Sequence, residues 1–168
     1  LRPVLPMVMR GVPTTAIKGP YIFWDTGREA RVAGVPFGNI YDPVGEPVRL
    51  CCSLIPWATE QGKAAELMSA FYDCAFVNGI NTNNTRGLRK VVERAGLDWH
   101  EARVRLGDPE GERLLEENRL CLYDAGIWGT PSFRLLGADG TELLALWGQD
   151  RLWRIGAEIQ RQLRKGKT

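Results

Sequence analysis

The spacing of apolar residues divides this chain into a long helical block and a strand-like tail. Ala64, Leu67, Met68, Phe71 and Ala75 recur three or four positions apart, the period of one helix face. Leu88, Val91, Val92 and Ala95 repeat the pattern, and Gly79 and Gly96 stand where each run stops. "DWHEARVRL" opens a further helix, with Asp98 and Glu101 at the spacing of a capping box. "DPEGERLLEENRLCLYDAG" offers Asp108 as cap and Pro109 at the first helical position. Its stripe is Leu114, Leu115, Asn118, Leu122 and Ala125, and Gly126 ends it. Upstream, "VRLCCSLIPWATEQ" carries Pro56, which lacks a donor and crowds the preceding turn, so a kink or split is predicted there. Pro20 suits the first turn of a helix running to Gly34, with Phe23, Gly27, Ala30 and Gly34 on one side. "GVPFGNIYDPVGEP" reads as loop.

After Gly126 the period changes. "PSFRLL" and "ELLALW" flank "GADGT", and Asp139-Gly140 is a hairpin turn signal. The closing segment reads as a helix capped by Asp150, with a stripe of Leu152, Ile155, Gly156, Ile159 and Leu163 and a basic tail suited to its negative end. At the other terminus, "RPVLP" (residues 2–6) is short, apolar and bounded by prolines, and is predicted as a strand. "MVMRGVPTTAIKG" follows as loop or broken helix. An isolated hairpin is marginal in water, and the first strand is the available third member. The pattern therefore predicts an α/β fold. Residues 1–12 and 126–168 would form its sheet-bearing part, and residues 13–125 an inserted all-helical subdomain.

Composition narrows the classes. At 168 residues, 44% hydrophobic, the chain suits one domain with its own core. A net charge of +2 gives no pull toward nucleic acid or a membrane surface. No apolar run approaches the roughly 20 residues of a membrane span. "LRPVLPMVMRG" lacks a small-residue cleavage site and makes a poor signal peptide. Cys51, Cys52, Cys74 and Cys121 form no C-x-x-C pair, and with His100 as the one histidine a zinc site is not indicated. They read as buried free thiols in a reducing, cytoplasmic setting, since adjacent Cys51 and Cys52 match disulfide geometry poorly. His100 falls in a first helical turn, where its cation opposes the dipole, and reads as a surface residue.

Two readings attach to Pro131, at the mouth of "PSFRLL". It is an edge-strand proline, or it carries a cis bond that turns the Thr130 N–H and C=O outward. Tyr21, Trp24 and Trp57 either line a hydrophobic substrate pocket between helices and sheet or belong to the core.

Several stretches resemble, in order, the DsbA-like thioredoxin-fold group, and within it the kappa-class glutathione transferases and 2-hydroxychromene-2-carboxylate isomerases. "LRPVL" is similar to the family's second strand, and "KGPYIFWDTGREARVAGVPF" to its tyrosine-bearing helix ending in G-[VI]-P. "GIWGTPSF" and "WGQDRLWRI" resemble its proline segment and its W/F-G-x-D-R-L run. The resemblance implies a thioredoxin-like fold and glutathione as cosubstrate or cofactor. The tripeptide would lie extended beside Pro131, pairing its backbone with Thr130, and its γ-glutamyl end would meet Gln149 and Asp150. There the Asp150 carboxylate would hold an ammonium and helix N–H groups a carboxylate; otherwise Asp150 is an ordinary cap. A small hydrophobic or aromatic substrate and a homodimer are also implied. The family's reactive residue lies on a turn before the second strand, so the catalytic residue, with one strand and one helix, is expected upstream of Leu1. The isomerases carry a G-N pair after that strand, whereas this chain reads "MRGVPTT". The alternatives are a DsbA-like thiol-disulfide oxidoreductase and a non-catalytic thioredoxin-like binding domain.

Overall fold

The computed structural model describes residues 2–166. They divide into two compact units, Leu1–Leu115 and Glu116–Thr168, so residues 2–12 group with the helices that follow them.

The first unit is helical. A 3-10 turn at Met7–Arg10 precedes α1 (Lys18–Ala33), and a loop leads to α2 (Glu46–Ser53) and α3 (Ile55–Glu60). Leu54 joins these two, and Pro56 sits in the first turn of α3, where a missing donor costs nothing. The split expected at Pro56 is therefore resolved as two helices. α4 (Ala64–Tyr72) passes directly into a π-helical turn, Asp73–Val77. α5 (Thr85–Arg94) starts at Asn84, whose side chain accepts a hydrogen bond from the Gly87 N–H at 2.8 Å. α6 (Trp99–Ala102) starts at Asp98, which accepts from the Glu101 N–H at 2.9 Å. α7 (Pro109–Asp124), whose residues from Glu116 on belong to the second unit, starts beside Asp108, which accepts from the Glu110 N–H at 2.9 Å. Short polar side chains at these three starts satisfy donors that the helix cannot.

The core of this unit is the apolar stripe of each helix. Leu54, Ala58, Leu67, Cys74, Val91, Val92 and Ala102 are almost wholly buried, with Trp57 and Phe71 around them. Each large side chain so buried contributes about 1.5–3 kcal/mol. The π turn has a second role. Its Phe76 and Ala75 carbonyls accept hydrogen bonds from the N–H groups of Gly38 (3.0 Å) and Tyr41 (2.7 Å). Asn39 forms a parallel bridge with Asn78, and its amide fills the place a Cβ at Gly79 would need. These contacts fix the loop after α1 against the helical core.

In the second unit, β1 (Ser132–Leu136) and β2 (Glu142–Trp147) form an antiparallel hairpin, pairing Phe133 with Leu146 and Leu135 with Leu144. At the turn, Gly140 takes φ +83° and Asp139 accepts from the Thr141 N–H at 3.0 Å. A 3-10 turn at Gln149–Arg151 leads into α8 (Leu152–Lys165).

Three sequence expectations are corrected. Residues 2–6 are not a strand, because no described segment pairs with their backbone, and a strand exists only through its partner. Asp150 does not cap α8: the residue before that helix is Arg151, and no side chain bonds its first turn. The covered face of α8 carries Ile155, Glu158 and Gln162, whereas Leu152, Gly156, Ile159 and Leu163 are exposed. Glu158 tolerates this position because Arg161 and Gln162 bond its carboxylate, holding it well below the usual carboxylate range.

Candidate functional site

The segment between α7 and β1 is built to display one peptide unit. Gly126, at φ +68°, stops α7, and the Gly126 and Ile127 N–H groups close on the carbonyls of Tyr123 and Leu122. Ile127 is buried and anchors the loop. Gly129 is buried too, and a Cβ there would fall on the Trp147 indole, which would have to move to admit it. The Ser132 hydroxyl donates to the Gly129 carbonyl, and the Gly148 N–H donates to the Pro131 carbonyl at 3.0 Å. The Thr130–Pro131 peptide bond is cis. Thr130 and Pro131 are exposed, and neither the N–H nor the C=O of Thr130 has a hydrogen-bond partner among the described residues. An exposed donor and acceptor on one residue at the mouth of a strand is the arrangement an extended peptide can pair with.

Gln149 and Asp150 follow β2 directly, on the 3-10 turn. Gly148 bonds back to Pro131, so this turn is tied to the Thr130 loop through main-chain contact. The Asp150 carboxylate is 70% exposed, 3.8 Å from the Arg151 guanidinium, and turned back over Gly148. Thr130, Pro131, Gln149 and Asp150 thus occupy one end of the hairpin. Trp128 also belongs to this end, packing its ring 4.8 Å from that of Trp147 while remaining half-exposed. Sequence reading passed over this pair, although the Trp flanking Gly129 and the Trp before Gly148 were both available as signals.

The aromatic candidates separate. Trp57 is 5% exposed and lies in the core of the first unit, with the Arg105 guanidinium 5.3 Å above its ring; it is a core residue, not a pocket lining. Tyr21 and Trp24 are exposed on α1, and Trp24 borders a groove of that unit. Of the thiols, Cys51 and Cys74 are buried, and all four cysteines are free. Burial pushes the Cys51 thiol well up, with Cys52 and Cys74 adding to it; burial also raises Cys74, and Cys52 to about 11. These three are therefore thiols at neutral pH and poor nucleophiles.

The model of the DSBA-like thioredoxin domain matches residues 6–160, most of the chain. The chain belongs to that family. Among solved structures, a 2-hydroxychromene-2-carboxylate isomerase matches with a TM-score of 0.70 and 19% sequence identity, over 96% of this chain and 77% of that one. At this identity the likeness is one of fold. A search of curated proteins finds no match. As a DSBA-like thioredoxin domain, the chain has an α/β fold in which helices accompany a small hairpin sheet. No described helix is long and apolar enough to cross a membrane, and no group of three metal-ligating side chains occurs among the described residues.

Proposed function

We propose that this DSBA-like domain belongs to a glutathione-dependent enzyme, an isomerase or transferase acting on a small hydrophobic or aromatic molecule. The observation that carries the reading is the exposed, unpartnered N–H and C=O of Thr130 beside Pro131. These groups suit the backbone of an extended tripeptide, which would add to the β1 end by main-chain hydrogen bonds. Asp150 supplies an accessible carboxylate for an ammonium, with Gln149 next to it as a neutral donor and acceptor. The fold shared with a 2-hydroxychromene-2-carboxylate isomerase supports the same direction. The thiol-disulfide alternative receives no support from Cys51, Cys52 or Cys74, whose raised pKa values disfavour the attacking thiolate.

Glutathione, when bound, supplies a cysteinyl thiol. The residues of this chain would orient it: Thr130 through its backbone, Asp150 through charge. The test is calorimetric titration of the full-length protein with glutathione and with an S-alkyl glutathione. Binding of both is expected. Thr130→Pro, which deletes the N–H, should weaken binding about tenfold, equivalent to about 1.4 kcal/mol. Thr130→Ala, which keeps the N–H, should leave affinity near the wild-type value. No heat and no thermal shift at millimolar ligand would end this reading.

A further inference from the structure

α8 (Leu152–Lys165) is seated with its apolar side outward. The face it covers carries Ile155, Glu158 and Gln162, while Leu152, Ile159 and Leu163 are exposed, Leu163 by 64%. Trp153, beside them, is 69% exposed, and no residue of α8 is buried. A surface helix that packs only on its own domain shows the reverse, its apolar stripe inward and its charges outward. Large apolar side chains gathered on an exposed face mark an interaction surface. The spacing sets the shape that fits it. Leu152, Gly156, Ile159 and Leu163 stand four, three and four positions apart, the repeat of a seam between two helices. Such a seam is narrower than the apolar arc that a helix lays into a lipid surface. At Gly156 a Cβ would meet nothing within 4 Å, so a second backbone can approach there. A glycine in mid-helix costs about 1 kcal/mol against alanine, and no described residue uses the space it leaves.

The charge sets which helix fits. Arg154, Arg161, Arg164 and Lys165 stand on α8 against a single carboxylate, Glu158. That carboxylate is already bonded by Arg161 and Gln162. Steps of seven and four residues put Arg154, Arg161 and Lys165 in one row along the helix, with Arg164 between that row and the apolar seam. Arg161, Arg164 and Lys165 border an open groove of about 490 Å³ on this side. The negative end of α8 accounts for cations in its last turn, but Arg154 lies in the first turn, where the dipole opposes a cation. Its guanidinium rests 5.7 Å from the centroid of the exposed Trp153 ring. A second copy of α8 laid on this face would set cations against cations, whereas acidic flanks would complement them.

We infer that the exposed face of α8 docks an acidic amphipathic helix of another protein, whose apolar seam lies on Leu152, Gly156, Ile159 and Leu163 and whose carboxylates meet the row of Arg154, Arg161 and Lys165. Helix-on-helix docking of this kind takes its affinity from the apolar anchors, here with Trp153 at the rim, and its choice of partner from the flanking charges. The inference rests on α8 alone and stands independently of the glutathione reading.

The experiment titrates the full-length protein with two tryptophan-free peptides of about three heptads, both with Leu at a and d, one with Glu at e and g and the other with Lys. Like charges at e and g keep each peptide from pairing with itself. Calorimetry should show saturable binding of the Glu peptide, about tenfold or more tighter than that of the Lys peptide and weakened by added salt. Protein fluorescence should shift to the blue on binding, and Trp153→Phe should reduce the shift. The double substitution I159E/L163E, at two exposed positions, should weaken the Glu peptide about tenfold or more while far-UV circular dichroism stays native. R154E/R164E should move the preference toward the Lys peptide. Equal binding of the two peptides, full Glu-peptide binding in I159E/L163E, or no saturable binding of either would each overturn the inference. So would uptake by vesicles of phosphatidylcholine and phosphatidylserine without peptide binding, or a dimer in sedimentation that I159E/L163E dissolves.

Discussion

Gly111, in the first turn of α7, tests how α7 is seated on α2. A Cβ at this position would stand 2.4 Å from the Ser53 Cα, 2.9 Å from the Cys52 carbonyl oxygen and 3.0 Å from the Ser53 nitrogen. Carbon atoms pack at about 3.5–4.0 Å, so Gly111→Ala forces the helices apart by about 1 Å. All three obstructing atoms are backbone and cannot rotate away. Ser53 is itself fixed, donating to the Leu50 carbonyl at 2.8 Å and accepting from the Gly107 N–H at 2.9 Å. Overpacking of this kind costs about 1–3 kcal/mol, while alanine in place of glycine in a helix returns about 1 kcal/mol. Because all three obstructing atoms are backbone, the cost falls at the upper end of that range, and the expected net is a loss of about 2 kcal/mol, which for a chain of this size lowers the Tm by about 4–8 °C. Gly156 of α8 is the control. No heavy atom lies within 4 Å of its Cβ position, so Gly156→Ala should stabilise by about 1 kcal/mol through helix propensity alone. Urea denaturation followed by far-UV circular dichroism, at unchanged m, reads both variants on one scale. The two substitutions should differ in sign. A Gly111→Ala protein as stable as wild type would refute the close α2–α7 contact and the cost assigned to it.

Three further outcomes follow from the first unit. Leu67 is fully buried in its core, so Leu67→Ala should cost about 2–5 kcal/mol in urea denaturation; a loss under 1 kcal/mol would mean the site collapses around the change. Asn84→Ala removes the side-chain acceptor for the Gly87 N–H and should cost about 1 kcal/mol, with Asn84→Asp near neutral. The Cys52 thiol is raised from 9.0 to about 11 by burial, so the fold favours its protonated form. That contribution is complete below pH 9.0 and is lost as the pH rises toward about 11, so stability should fall across this window. Cys52→Ser, which does not titrate there, should flatten the decline in a pH series of urea midpoints, and an unchanged slope would count against the burial of that thiol.

Much of the fold is legible in the chain because its causes are local. The three-and-four spacing of Leu67, Phe71, Leu88, Val91 and Val92 marks helix faces, and those residues form the core. Asn84, Asp98 and Asp108 cap helices through side chains only two or three residues from the donors they satisfy. Gly140 turns the hairpin, and Pro56 opens a new helix, because backbone freedom and a missing N–H act at the residue itself. Of the candidate site, the Thr130-Pro131 dipeptide and the Gln149-Asp150 turn were readable from their motifs, and both lie at one end of the hairpin.

What tertiary structure decided is everything that depends on a neighbour distant in sequence. Residues 2–6 have strand-like composition, yet strand pairing is a property of two segments, and no second segment meets them. Two faces of α8 are available to the pattern, and packing covers the one with Glu158 because Arg161 and Gln162 satisfy its carboxylate there. Trp57 and Trp24 are the same residue type on two helices of the first unit, yet one is core and the other lies on a groove, since only folding determines which face meets a partner. The groove itself needs the π turn, Phe76 and the loop after α1 to converge. Local propensity therefore set the helices and turns of this protein, while long-range contact chose which of their faces are buried and which are left to bind.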